Sequence, residues 1–195
     1  MVRTSLASMA FAIALALSAP PATAGPDAEA LIETTAKRIA TGDYRPDEIS
    51  DLIDTVRVAR FTLGRHARTL PSEDVARYVD VFDTAVRRAF SVDAGNAIEA
   101  RVEVIGSIDR SPTDSIVTTR VHVEGEDPMT VRWRVIERGG TWRVVDIETF
   151  GLWLAIEQRA QVNAILDRNG ATIDDVITAF NSRLQSPDSS ASRRG

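Results

Sequence analysis

Cysteine is absent from this 195-residue chain, and histidine occurs only twice, as His66 and His122. With no thiol, a disulfide framework and a thiolate zinc site are both excluded. Neither histidine lies in an H-E-x-x-H or other close ligand spacing, and the carboxylate pair considered as a ligand set is Asp51 with Asp54 at i, i+3. No metal site is therefore expected, and that pair reads as a solvated helix face. A G-x-S-x-G elbow, a P-loop and a dinucleotide-binding glycine pattern are all missing, and nothing implies a cofactor. Bases are the scarcer charge: 23 Lys and Arg stand against 28 Asp and Glu, a formal net charge of −5. So acidic a chain would add to phosphate repulsion, which argues against nucleic-acid binding. Beyond the N-terminus no run approaches roughly 18 uninterrupted apolar residues, so no membrane span is expected there.

What is present begins with a leader. Arg3 precedes an almost unbroken apolar run from Leu6 to Leu17; Pro20 and Pro21 break it, and Ala22-Thr23-Ala24 supplies a small-x-small cleavage pattern. Residues 1–24 therefore read as a cleaved secretory signal peptide, too short and Ala-rich for a good membrane span. With no cysteine at the cleavage point, lipid attachment there is excluded. Its removal takes away one arginine and no acid, moving the charge from −5 to −6. About 170 residues remain, which fits one domain with a sizeable core, over 25–184. The Ser-rich stretch 185–195 reads as a disordered polar tail.

The first half of that domain reads as helical. Ala28, Leu31, Ile32 and Ile39 place a stripe on a first helix that stops near Thr41-Gly42. Ile49, Leu52, Ile53 and Val56 continue through Val58, Phe61 and Leu63 as a second, ending at Gly64. A third is signalled by Pro71-Ser72-Glu73-Asp74, whose acids suit the positive end of a helix dipole. Val75, Tyr78, Val79, Phe82, Val86, Ala89 and Phe90 form its inner face. From about Glu99 the period changes to 2. Val102 and Val104, then Val117 to Val123, then Val131, Trp133 and Val135, then Thr141 to Glu148, read as four antiparallel strands. Turn signals at Ser111–Asp114, Gly125–Pro128 and Gly139-Gly140 separate them. Leu152 to Leu166 is helical by composition, with Gly170 as a C-terminal cap. A final short helix holds Val176, Ile177 and Phe180. The order is α+β: helices on one face of a curved four-stranded antiparallel sheet, an NTF2-like or cystatin-like cone with an apolar cavity.

Few residues suit catalysis. His122 alternates with the apolar positions of its strand and should face water. Asp146, flanked by Val144, Val145 and Ile147, is the one candidate acid–base group; its plainer reading is a strand residue on the wet face. Arg57, Arg60, Arg65, His66 and Arg68 form a basic cluster. It reads either as a contact for an anionic headgroup or partner, carried by Arg60, Arg65 and Arg68, or as a solvated face paired with nearby acids.

Four short motifs in a shared order are similar to the MlaC-like family of periplasmic phospholipid-binding proteins, also called the toluene-tolerance or ABC-transporter auxiliary family. They are Phe61-Thr62-Leu63-Gly64-Arg65; the helix from Pro71 with Phe82 inward; Thr141-Trp142-Arg143-Val144-Val145-Asp146; and Gly151, Leu154, Arg159 and Gln161. The resemblance spans Ala28 to Leu184. It departs at Phe150-Gly151-Leu152-Trp153-Leu154, where the family carries Glu-Gly-Val-Ser-Leu. If position 153 lines the pocket, Trp153 reshapes it.

The resemblance implies a monomeric, non-enzymatic periplasmic carrier. It would take phospholipid acyl chains into its cavity and exchange lipid with an inner-membrane ABC transporter complex and an outer-membrane lipoprotein complex. Phe61, Tyr78, Phe82, Val86, Phe90, Val121, Trp133, Val135, Leu152, Trp153 and Ile156 are the apolar positions expected to converge on the chains. Two alternatives stay open: a divergent paralogue that binds another small apolar ligand or only protein partners, and a small α+β acid–base enzyme using Asp146.

Overall fold

The computed structural model describes residues 26–41, 48, 51–97 and 101–185. The expected leader, and all of the expected tail except Gln185, lie outside these residues. The described elements are α1 (Pro26–Thr41), α2 (Thr55–Leu63), a 3-10 turn (Gly64–Arg68) and α3 (Ser72–Ala97). Then come β1 (Arg101–Ser111), β2 (Asp114–His122), β3 (Met129–Arg138), β4 (Thr141–Thr149) and β5 (Leu152–Trp153). Helices α4 (Leu154–Leu166) and α5 (Ile173–Gln185) complete the order. The class is α+β, with an open, curved antiparallel sheet in the order β1-β2-β3-β4-β5.

The fifth strand corrects the four expected. Phe150 and Gly151 both take positive φ, 51° and 79°, and form a tight reversal. Two-residue loops of that handedness match the twist of the strands they join. Leu152 and Trp153 consequently pair back onto Thr149 and Glu148, and the helix starts at Leu154 rather than at Leu152. The final helix is longer than expected, with 13 residues.

The second helix is interrupted where one continuous helix was expected. Ile53 bridges to Val144, and the Asp54 amide donates to the Val144 carbonyl at 3.0 Å. Asp54 then restarts the helix as its N-cap, its carboxylate accepting from the Arg57 amide at 3.1 Å. Satisfying these backbone groups on the sheet outweighs the helical period of the side chains, because an unpaired buried amide is costly.

Register places Val117 opposite Trp133 and Val135 opposite Val144, so these side chains share a sheet face. Helix α1 covers it through Ala28 and Ile32. A second cluster joins α2, α3, α4 and α5 around Leu63, Tyr78, Val162, Ile173 and Val176, and reaches the sheet at Val145. A bulge between Arg134 and Val135 against β4 shifts the register there. The consecutive residues Val144 and Val145 point to opposite faces of β4, and both are buried because each face is covered, one in each cluster. Ile53 packs against both and links them.

Candidate functional site

Helix α3 repeats Phe82, Ala85, Val86 and Ala89 at i, i+3, i+4 and i+7, one stripe on one face. Two alanines in that stripe leave space that larger side chains would fill. Across from them lie Val144, Val145, Asp146 and Ile147 of β4, Leu154 and Ala155 opening α4, Phe180 of α5, and Ile53 and Val58 near the start of α2. Together they line a partly open apolar cavity of about 600 Å³. That volume falls within the range of small-molecule pockets, and few polar groups interrupt the lining.

Those polar groups are Asp146, Glu157, Gln158 and Gln161. On α4, Glu157, Gln158 and Gln161 share a face with Leu154, and the Gln161 amide donates to Glu157 at 3.0 Å. Asp146 is half-buried rather than out in water. Its Oδ1 accepts the Ile147 amide at 2.9 Å and the Ala155 amide at 2.8 Å, so it holds the first turn of α4 onto β4. Burial pushes its carboxyl above the usual carboxylate range, against the opposing pull of those two donors.

Behind the cavity, Tyr78, Phe82 and Phe180 form an aromatic group with ring centres 5.9–6.1 Å apart. Tyr78 is fully buried, its hydroxyl 2.8 Å from Thr62 Oγ1, which itself donates to the Ala59 carbonyl. Burial pushes the phenol up to about 12, with the Thr62 hydrogen bond acting the other way.

Of the eleven apolar positions named from sequence, Phe82 and Val86 line this cavity and Tyr78 packs behind Phe82. Val135 and Trp133 lie on the sheet face under α1, where the Trp133 indole donates to Thr119 Oγ1 at 2.9 Å. Val121 is half-buried at the far end of β2. Phe61 is part-exposed, with the Arg159 guanidinium over its ring at 4.9 Å. Trp153 stands half-buried under Arg132, 5.4 Å from its ring centre, outside the cavity lining. Leu152 and Ile156 are exposed, and the side chain of Phe90 lies outside the described residues. Sequence reasoning passed over Ile53, Val58, Ala85, Val144, Leu154 and Phe180. The alanine-containing α3 stripe was the legible signal; the bridge from Ile53 to Val144 that brings the start of α2 to the cavity was not.

The basic cluster divides. Arg65 and His66 both engage Asp167, at 2.6 and 2.8 Å, and hold its carboxyl below the usual range. Arg60 and Arg68 are exposed, and none of Arg60, Arg65 and Arg68 lines the cavity. His122, expected in water, is half-buried with Nε2 sealed from solvent. Among the described residues no cluster of metal-binding side chains occurs, and no helix is long and apolar enough to cross a membrane.

Comparison with solved structures finds the fold again in a phospholipid-binding protein from Ralstonia solanacearum, determined in complex with a phospholipid. The TM-score is 0.68 at 20% identity, over 80% of this chain and 96% of that one. No curated protein matches the sequence. The MlaC protein family matches residues 37–182, most of the chain, and the protein belongs to that family.

Proposed function

We propose that this chain is a periplasmic phospholipid carrier that shelters acyl chains in the cavity between α3, α4, α5 and β4. The observation that carries the reading is the cavity itself: about 600 Å³, with apolar walls and a short polar edge on α4. Each methylene removed from water is worth about 0.8 kcal/mol, so a carrier must enclose lipid tails and can leave the headgroup wet. Family membership and the phospholipid held by the Ralstonia structure support the same reading. Phe82, Val86, Leu154 and Phe180 are the side chains proposed to touch the tails. Asp146 serves as a structural acceptor for α4, a role that leaves the site to binding rather than catalysis.

The leader would deliver residues 25–184 to the periplasm as one lipid-binding domain. There the carrier would exchange lipid between an inner-membrane ABC transporter complex and an outer-membrane lipoprotein complex. Native mass spectrometry of the purified protein should show co-purifying phospholipid. Val86→Trp should reduce lipid uptake from vesicles about tenfold or more by filling the cavity, with the fold retained. A wild-type protein that carries no lipid and accepts none from vesicles would overturn the carrier reading.

A further inference from the structure

A second, smaller cavity of about 120 Å³ lies beside the first and has the opposite character. It is lined by Asp54 and Arg57 at the start of α2, Ile136 and Arg138 at the end of β3, and Thr141 and Arg143 of β4. Ile136 pairs with Arg143 and Arg138 with Thr141 across the hairpin. These four side chains therefore project from one face of it. The attachment of Asp54 to Val144 sets the first turn of α2 against that face, which brings in Arg57.

Three arginines thus line the notch beside a single carboxylate, Asp54, which already caps α2 through the Arg57 amide. In this chain acids outnumber bases, and Arg65, Arg77, Arg87, Arg132 and Arg134 all have acidic partners. Arg57, Arg138 and Arg143 make no ion pair or side-chain hydrogen bond with any described residue. Nη1 of Arg57 is moreover buried without a partner. A buried donor left unpaired costs free energy, and such groups in native proteins ordinarily pair with a protein group, an ordered water or a bound ion.

We propose that this notch is a binding site for a compact tetrahedral oxyanion, a phosphate group. Arg57 supplies the buried donor, Arg138 and Arg143 supply forked guanidinium donors from the rim, and Thr141 offers a hydroxyl. Planar guanidinium groups suit phosphate because they present paired N–H donors at the spacing of its oxygens. The phosphate has two possible sources, a free ion or the headgroup of a lipid whose tails occupy the neighbouring cavity. The second is geometrically open because Ile53 and Val144 line the apolar cavity while their neighbours Asp54 and Arg143 line the notch.

The test titrates the purified chain with inorganic phosphate at constant ionic strength, read by phosphorus NMR and by thermal shift, with chloride as control. Saturable binding that weakens about tenfold or more in R143Q, and in R138Q, is the expected result. Both residues are exposed, so the variants should fold, which circular dichroism checks. R143K, which keeps the charge and loses the fork, should fall between. A wild type indifferent to phosphate, or an R143Q protein that binds it equally well, would overturn the proposal. A short-chain phosphatidylglycerol and the matching phosphate-free diacylglycerol then separate the sources. Competition between phosphatidylglycerol and inorganic phosphate, absent with the diacylglycerol, assigns the notch to the lipid headgroup. Simultaneous binding of both assigns it to a free anion. Because the phosphate titration needs no lipid, its failure is distinguishable from failure of the carrier reading.

Discussion

Asp146 shows how one side chain serves both local structure and the cavity wall. Its carboxylate accepts two amides that would otherwise lose their partners where β4 meets α4. The same placement buries it, and burial raises its pKa. An acid whose folded pKa is raised contributes stability that is full below its unfolded pKa and lost as pH rises through the folded one. Asp146→Asn keeps an oxygen for both donors and carries no charge. Thermal melts of the two proteins should therefore diverge as pH rises from the carboxylate range to neutrality, with the Asn variant gaining relative to wild type. Asp146→Ala removes the acceptor altogether and should cost about 1–3 kcal/mol at neutral pH. Parallel melting curves for wild type and Asn variant across that range would remove the burial effect.

At the scale of elements, the crossing of α2 and α4 depends on Gly64. Its φ of 60° and ψ of −126° suit glycine, and a Cβ there would come within 2.8 Å of Asn163 Oδ1 and 3.2 Å of Arg159 Nε. Asn163 is anchored in turn, donating to the Thr62 carbonyl at 3.0 Å and to the Arg159 carbonyl at 2.7 Å. Gly64→Ala should accordingly lower stability by about 2–3 kcal/mol, the strained backbone and the displaced amide acting together. Denaturant midpoints would measure this, and an unchanged midpoint would show that α4 yields without cost. The Leu63-Gly64-Arg65 motif was visible in the sequence as a helix end. That it is also the contact point for another helix, about a hundred positions away, was not visible, since periodicity describes an element and not its neighbour.

For the whole molecule, the carrier reading couples occupancy to stability. A ligand that binds only the folded chain adds about 2.7 kcal/mol when present at a hundred times its Kd. Protein loaded with lipid should melt at a higher temperature than the same protein after delipidation, and Val86→Trp should shrink the difference, by about half for a tenfold weaker Kd. Equal melting temperatures for loaded and stripped wild type would separate the cavity from lipid binding.

The amino-acid sequence by itself determined the class of the longer elements and the faces they had to bury, but not the short strand β5 or the break at Ile53-Asp54. The 3.6-residue stripe of α3 and the two-residue alternation of β2 to β4 are local consequences of backbone geometry. Those patterns placed Phe82 and Val86 on an inner face and Val135 and Trp133 on another. Only the tertiary structure decided which element covers each face. Helix α1 took the strand face of Val135 and Trp133, while α2, α3, α4 and α5 gathered on the opposite face at Val145, with the cavity beside them. Arg57, Arg138 and Arg143 line one notch because a backbone hydrogen bond from Asp54 to Val144 joins segments far apart in the chain. Hydrophobic burial is non-directional, so a sequence can specify that a face must be covered without naming the partner.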